Sequence, residues 1–309
     1  MNTSTTISAS ITLQTASYLT YCQQNKRLDP KTIKAYRIDL IQFATTISAT
    51  YINAITPDTI KSYIATLHQT YKPKSVKRKI SSLKAFFSYL EENDIISANP
   101  FLKIHTRFRE PLQLPRTIPL STIEELLSTI YSYHYTAKTD YSRRSSLQAI
   151  AIIELLFATG IRISELCSIR TENVDLANTS LKIYGKGKKE RLLHIGNSAC
   201  ISALSNYRQA FENEILDSGL FFPISDQVVR RMIRKYCRIA NIEKHITPHM
   251  FRHTFATSLL EADVDIRYIQ EFLGHSSISV TEIYTHATLK KQKEILSTVH
   301  PRLNMKING

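Results

Sequence analysis

The stretch LGHSSISVTEIYTH, from Leu273 to His286, holds residue types that could do chemistry. It places His275 directly after Gly274 and Tyr284 nine positions later. A glycine here is typical of the left-handed residue that ends a helix, so the chain is expected to turn sharply at His275. Tyr284 would lie on the following helix and point back at the same cavity. One interpretation is a buried aromatic at a helical corner; the other is a tyrosine nucleophile with a histidine beside it.

A second stretch, TPHMFRHTFATSLLE, is typical of a helix that is capped by Thr247. His249 and Arg252 are three positions apart and share one face near the helix start, where backbone N–H groups favour a phosphate. His249 and His253 also have the spacing of a metal pair. The zinc-protease pattern H-E-x-x-H requires glutamate where Met250 stands, however, and the Arg252 cation opposes a divalent ion. The stretch therefore favours an anion site, and no metal is predicted.

The overall charge indicates a polyanionic partner. The 309 residues include 40 lysines and arginines against 26 acidic residues, for a net charge of +14. The excess is present both in residues 1–110 and in the remainder of the chain, so a partner that contacts both halves is expected. Double-stranded DNA is the leading candidate.

Other features of the composition exclude several classes of protein. Neither of the glycine-rich loops that bind dinucleotides or ATP is present, so no cofactor is predicted. No apolar run is long enough to span a membrane, and the N-terminus does not resemble a signal peptide. The four cysteines contain no C-x-x-C pair, which fits reduced structural thiols in a cytoplasmic protein.

The first hundred residues are predicted to be helices punctuated by proline. Asp29 and Thr56 each precede a proline, as N-caps do. The helix over Pro73 to Glu92 has an apolar stripe, and a cationic and hydroxyl-bearing stripe lies beside it. A proline-containing linker follows, and the domain boundary is placed near Glu110. The packing residues are predicted to be Val76, Ile80, Leu83, Phe87 and Leu90, and the neighbouring stripe is Lys74, Lys77, Ser81, Lys84 and Ser88.

The second domain is predicted to be mostly helical with one β-hairpin. An apolar helix ends at Gly160, a hairpin spans Ser180 to Ile195, and a basic amphipathic helix covers Asp226 to Ala240. Two further helices follow. Their predicted buried residues are Phe251, Phe255 and Leu259 on the first, and Ile266, Ile269, Phe272 and Leu273 on the second. DNA contacts are predicted from two helices, at Lys72, Lys74, Lys77, Arg78 and Lys84 and at Arg230, Arg231 and Arg234.

These residues resemble the tyrosine recombinases, or phage integrase family, whose signature is Arg, Lys, His-x-x-Arg, His or Trp, and Tyr in that order. The chain is most similar to the short Xer-like members. The resemblance implies a mainly α fold with a small β element, formed by a helical, SAM-like core-binding domain over residues 1–109 and the family's catalytic domain over 110–309 with a C-terminal tail. One segment, Ser132 to Ser146, is longer than in Xer-like chains. The signature positions are Arg162, Lys186, His249, Arg252, His275 and Tyr284.

The resemblance implies a role for each of these positions, and each role suits the side chain. The Tyr284 phenol attacks phosphorus to form a 3′-phosphotyrosine, while Arg162 and Arg252 stabilise the charge on the non-bridging oxygens. Lys186, on the hairpin, protonates the departing 5′ oxygen. The two signature histidines have different roles: His249 takes the tyrosine proton, and His275 donates a hydrogen bond to the phosphate. Glu165, one turn after Arg162, is expected to orient its guanidinium or a neighbouring histidine.

The sequence predicts a site-specific recombinase and leaves other possibilities open. A type IB topoisomerase shares the chemistry without site specificity, and a DNA-binding regulator with inactive chemistry would keep only the basic surface. Integration or excision of a mobile element and Xer-type resolution use the same residues. The resemblance also implies a homotetramer in the synaptic complex. The C-terminal tail is expected either to pack on its own domain or to dock in trans on a neighbouring subunit.

Overall fold

The computed structural model describes residues 10–102, 104, 116–185 and 190–274. The chain divides into two compact units, Met1–Leu112 and Gln113–Gly309. The predicted boundary near Glu110 lies outside the described residues and stays a prediction. No described helix is long and apolar enough to cross a bilayer.

Four α-helices build the described part of the N-terminal unit, and prolines begin three of them as predicted. The Asp29 carboxylate accepts the backbone N–H of Lys31 at 2.7 Å, and the Thr56 hydroxyl accepts that of Thr59 at 3.2 Å. Both bonds satisfy backbone donors that a helix start leaves without a partner. The helices are α1 (Ile11–Gln24), α2 (Pro30–Ile47), α3 (Pro57–Thr70) and α4 (Pro73–Glu92).

The apolar stripe predicted for α4 is confirmed, since all five of its residues are buried. The sequence did not predict the buried charges beneath the same helix. Asp39 of α2 accepts hydrogen bonds from Lys79 Nζ at 3.0 Å and from the Ser82 hydroxyl at 2.9 Å, and it also pairs with Arg78. Asp39 and Lys79 are both buried, so each neutralises the other in a site where a lone charge would be costly. This pairing anchors α4 to α2.

A single apolar helix organises the second unit. The helix α6 (Asp140–Thr159) is buried without interruption from Ala149 to Leu156, and it packs against α5 (Leu120–Thr136) and other helices. The remaining elements are α7 (Ile163–Leu166), β1 (Val174–Asp175), β2 (Ser180–Tyr184), β3 (Glu190–His194), α8 (Ser198–Ala210), α9 (Glu212–Ser218), α10 (Asp226–Ile239), α11 (Pro248–Glu261) and α12 (Ile266–Leu273). The architecture confirms the predicted mainly helical class with a small β element.

The predicted hairpin is confirmed, and it forms part of a slightly larger sheet. Strands β2 and β3 pair antiparallel from Ser180 opposite His194 to Tyr184 opposite Glu190, so residues 185–189 connect them. The short strand β1, which the sequence did not predict, pairs with the other side of β2. Lys186 belongs to the connection and lies outside the described residues.

The segment Ser132 to Ser146 forms the end of α5, a short link at residues 137–139 and the start of α6. Its two helical arms are joined through His134, whose Nδ1 lies 3.0 Å from the Ser146 hydroxyl. Thr139 caps α6 by accepting the backbone N–H of Ser142 at 3.1 Å. The segment therefore consists of two packed helical arms and a short link.

The helices α11 and α12 meet in a small apolar cluster. Ile269 and Leu273 are buried there, as predicted, and Phe255 and Leu259 are partly buried against them. Two predictions in this region are wrong. Phe272 is 37% exposed, because it lies on the outer side of α12, and the Thr247 side chain makes no cap hydrogen bond although it occupies the N-cap position.

Candidate active site

Arg162 is presented by a sharp turn at the end of α6. That helix ends at Thr159, and Gly160 takes a left-handed conformation with φ of +60°. The chain then passes through Arg162, which directly precedes the short helix α7. The side chain of Arg162 is one-third exposed, at 33%. The turn predicted at Gly160 thus places a guanidinium at the surface of the unit.

Glu165 holds Arg162 in place, as the one-turn spacing predicts. Its carboxylate accepts the backbone N–H of Arg162 at 2.8 Å and the guanidinium Nη1 at 2.8 Å. Burial of the carboxyl opposes its ionisation. Hydrogen bonds and positive charge from Arg191 and Arg162 outweigh that effect, so the pKa of Glu165 lies below its ordinary value. Glu165 is therefore an ionised, buried anchor, and its contribution to catalysis stays a prediction.

Arg252 lies in the interior and joins two distant turns. Its Nη1 donates to the Gly160 carbonyl at 2.9 Å and its Nη2 to the Leu273 carbonyl at 2.6 Å. The same Leu273 carbonyl accepts a longer bond, 3.4 Å, from Arg162 Nη1. The two signature guanidiniums, which are 90 positions apart in sequence, therefore meet at the C-terminal end of α12. This is the convergence that binding a single phosphate requires.

Close packing around Gly160 makes this turn sensitive to any side chain. A Cβ atom at Gly160 would lie 2.5 Å from Phe255 Cδ1 and 3.2 Å from Leu273 Cδ2. We expect Gly160→Ala to lower the free energy of unfolding by about 2–5 kcal/mol, through the left-handed conformation and the overpacking together. Urea unfolding of the full chain measures the change.

Gly219 provides a matched control for this substitution. Its φ is +66°, close to that of Gly160, and a Cβ there would meet nothing within 4 Å. Gly219→Ala should therefore cost only the conformational part, about 1–2 kcal/mol. Equal losses in the two variants would contradict the packing argument.

The two histidines of α11 differ in their surroundings. His249, on the first turn, is exposed, as a group that meets a substrate would be. His253 is partly buried; its burial, with the neighbouring charges of His249 and Arg252, lowers the pKa of His253 to about 4. His253 is accordingly neutral near pH 7. Among the described residues, no three His, Cys, Asp or Glu side chains are grouped as metal ligands would be.

The sequence reasoning missed a third guanidinium, that of Arg191. It donates to both carboxylate oxygens of Glu165, from Nη1 at 3.1 Å and from Nη2 at 2.8 Å. The strand alternation contains a signal that could have found it. Residues 191, 193 and 195 lie on one face, and Leu193 and Ile195 are buried, so an arginine at 191 points inward. Arg162 and Arg191 both contact the single carboxylate of Glu165, so this group carries an excess of positive charge.

The other predicted site residues fall into two groups. Lys186, His275 and Tyr284 lie outside the described residues and stay predictions, although His275 directly follows Gly274 in the chain. The DNA-contacting role of the basic residues on α4 and α10 also stays a prediction. Most of these residues are exposed, which suits contact with DNA, and Lys84 and Arg230 are partly buried. The exposed residues are Lys72, Lys74, Lys77, Arg78, Arg231 and Arg234.

Known proteins resemble this chain over almost its full length. A tyrosine recombinase of Agathobacter rectalis is 58% identical over 93% of this chain and 96% of its own length. Tyrosine recombinase XerC of Oceanobacillus iheyensis is 33% identical over 93% of this chain and 96% of its own. A crystal structure of the XerH site-specific recombinase, bound to palindromic difH substrate in a post-cleavage complex, superposes with a TM-score of 0.73. That structure is 19% identical, over 92% of this chain and 84% of its own, and shows the shared fold alone.

Two family descriptions match the two units. Residues 16–93 match the phage integrase N-terminal SAM-like domain, which confirms the class predicted for the first helices. Residues 121–291 match the phage integrase family and include all six signature positions. Together with the 58% identity to a tyrosine recombinase, these matches establish that the chain belongs to the phage integrase family of tyrosine recombinases.

Proposed function

We propose that this tyrosine recombinase cleaves and rejoins duplex DNA at a specific site through a covalent 3′-phosphotyrosine intermediate. The observation that carries the proposal is the convergence of Arg162 and Arg252 on the Leu273 carbonyl. That carbonyl lies two positions before His275 and eleven before Tyr284 in the chain. A phosphodiester seated against these guanidiniums would therefore be reached by the segment that carries the nucleophile.

The reaction needs only side chains of this protein. The Tyr284 oxygen forms a bond to phosphorus as the bond from phosphorus to the 5′ oxygen breaks. His249 takes the phenol proton and Lys186 supplies a proton to the departing oxygen. Negative charge on the non-bridging oxygens increases during attack, and the two arginines stabilise it. The new phosphodiester bond conserves the free energy of the broken one, so a 5′ hydroxyl can reverse the step without ATP.

The exchange of strands between two duplexes sets the number of protomers. Each duplex is cut on both strands, which makes four cleavages, and each protomer supplies one tyrosine. We therefore propose a homotetramer in the synaptic complex, in which the C-terminal tail packs either on its own domain or in trans on a neighbouring subunit. No disulfide joins the four cysteines, all of which lie among the described residues, and this suits the cytoplasm, where we place the protein.

A nicked substrate tests the proposed chemistry. A DNA site is first selected from a random duplex library by its affinity for the protein, and a nick is then placed a few nucleotides beyond the scissile phosphate. After cleavage the short 5′-hydroxyl fragment diffuses away, so the covalent complex accumulates and is seen as a slow band on a denaturing gel. A protein that binds its selected site tightly and yields no such band is a DNA-binding regulator. Relaxation of supercoiled DNA without site preference would instead indicate a topoisomerase.

The exposed lysines of α4 are proposed to contact DNA phosphates. Arg78 is a poor residue with which to test this surface, because its guanidinium pairs with the buried Asp39. Lys74 and Lys77 are exposed on the same helix. We expect Lys74→Gln with Lys77→Gln to weaken binding to all sequences and to reduce the slope of log Kd against log salt by about 2, or about 1 for each lost phosphate contact.

Lys61 of α3 is the matched control, since it is exposed and pairs with Asp58 at 2.9 Å. Fluorescence anisotropy over a range of salt concentrations gives the slope for each variant. A slope that is unchanged by the α4 substitutions, or equally reduced by Lys61→Gln, would remove this face from the DNA interface.

A further inference from the structure

Arg191 connects three segments of the chain whose relative positions determine the geometry of the site. Its side chain is only 10% exposed. Two of its nitrogens donate to the carboxylate of Glu165 in α7, and its Nε donates to the Phe272 carbonyl of α12 at 3.0 Å. Because Arg191 itself belongs to β3, one guanidinium ties the hairpin, the anchor of Arg162 and the end of α12 together.

The backbone at the end of α12 comes unusually close to this guanidinium. A Cβ atom at Gly274 would lie 2.8 Å from Arg191 Nη1 and 3.1 Å from its Cζ. Gly274 also has a φ of +61°, which favours glycine independently. The turn that leads into His275 is thus packed directly against Arg191.

The charges around Glu165 give Arg191 a second effect. Arg191 contacts both carboxylate oxygens, whereas the Arg162 guanidinium contacts only one of them, through Nη1. Arg162 is also the more exposed of the two, with 33% of its side chain accessible against 10%. Without Arg191, the Glu165 charge would be balanced by Arg162 alone, in a partly buried pair where the attraction is strong. The guanidinium that faces an incoming phosphate would then be drawn to the carboxylate and neutralised.

We propose that Arg191 is a positioning residue that neutralises Glu165 and so leaves the charge of Arg162 available to the scissile phosphate. The role rests on the proposed function of the site. It also explains why a carboxylate is tolerated in a site for an anion: Glu165 orients Arg162 through its backbone and side chain, and Arg191 cancels its repulsion of the phosphate.

A double-variant cycle tests this role. We expect Arg191→Met to slow formation of the covalent complex by about 100-fold, because Arg162 would then be neutralised by Glu165 and the phosphate would lose one charge-stabilising group. Glu165→Gln in the same chain removes the carboxylate that Arg191 neutralises, so the double variant should recover at least about tenfold of that loss. Arg191→Lys, which keeps the charge but cannot form the fork, should fall between wild type and Arg191→Met.

The cycle also separates this role from a purely structural one. If Arg191 only holds the fold together, the double variant will be as slow as Arg191→Met or slower, and its unfolding transition will fall in parallel; that result overturns the proposal. Binding of inorganic phosphate, followed through the Nε–H resonance of Arg162 in the full chain, gives a second measurement that needs no cleavage. The affinity of the protein for phosphate should fall in Arg191→Met and recover in the double variant. If wild type forms no covalent complex and the phosphate affinities keep this order, the proposed function fails while the role of Arg191 stands; if the order is lost, the proposal fails.

Discussion

A Tyr284→Phe variant is expected to form no covalent complex with the nicked site and to bind the same DNA as tightly as wild type. The phenylalanine ring keeps the shape of the side chain and lacks the oxygen that we propose attacks phosphorus, so the proposed covalent route is removed altogether. A denaturing gel measures the complex, and an electrophoretic shift under native conditions measures binding. Mass spectrometry of the wild-type complex should locate the phosphate on the peptide that contains Tyr284.

Tyr268 is a suitable control for this substitution. It lies on α12, sixteen positions earlier, and its side chain is exposed. Tyr268→Phe removes the same atom from a tyrosine that has no role in the proposed chemistry, and it should leave the rate of complex formation unchanged within about twofold, as surface substitutions usually do. A covalent complex that persists in Tyr284→Phe would assign the nucleophile to another residue.

The local features of this fold were predictable because their causes are local. Asp29 and Thr56 cap helices because their side chains reach backbone N–H groups two or three positions away. Gly160 and Gly274 end helices because each must adopt a positive φ. The packing stripe of α4 follows from a period of 3.6 residues, which the sequence displays directly.

The missed features depend on partners that are far away in the chain. Lys79 stands in a basic cluster of the sequence, but it is buried because Asp39, forty positions earlier, neutralises it. Arg191 is fixed by Glu165 and by a carbonyl of α12, eighty-one positions later. No periodicity within a single element reveals such a pairing, because it depends on which elements the fold brings together.

Some features of the candidate site have local causes, and others depend on partners that are distant in the chain. Six signature positions could be named because their types and order resemble a family, and their individual spacings are weak evidence. The structure adds how two of them meet: Arg162 and Arg252 converge because the α6 turn and the end of α12 offer carbonyls to the same buried guanidinium. Backbone acceptors have no sequence signature, so the burial of Arg252 could not be predicted from its position on the helix face.

The consequence is that Arg252 should be both a catalytic and a structural residue. We expect Arg252→Ala to slow formation of the covalent complex by at least about 1,000-fold, because it removes one of the two guanidiniums that we propose stabilise charge on the phosphate. The substitution also leaves the carbonyls of Gly160 and Leu273 without this donor. The free energy of unfolding should therefore fall by about 2–6 kcal/mol, since each of the two buried carbonyls contributes about 1–3 kcal/mol.

Two further substitutions separate the catalytic contribution of Arg252 from its structural contribution. Arg252→Lys keeps the positive charge, but a single ammonium cannot reproduce the planar fork that spans both carbonyls, so the variant should remain about 100-fold slower than wild type. Arg267 is the control: its side chain is 80% exposed and it pairs with Asp265 at the start of α12. Arg267→Ala should change neither the rate nor the unfolding transition appreciably. Arg252→Ala could instead keep the rate within tenfold of wild type while its unfolding transition fell as expected. Arg252 would then have only a structural role at the two turns, and Arg162 would have to stabilise the phosphate without it.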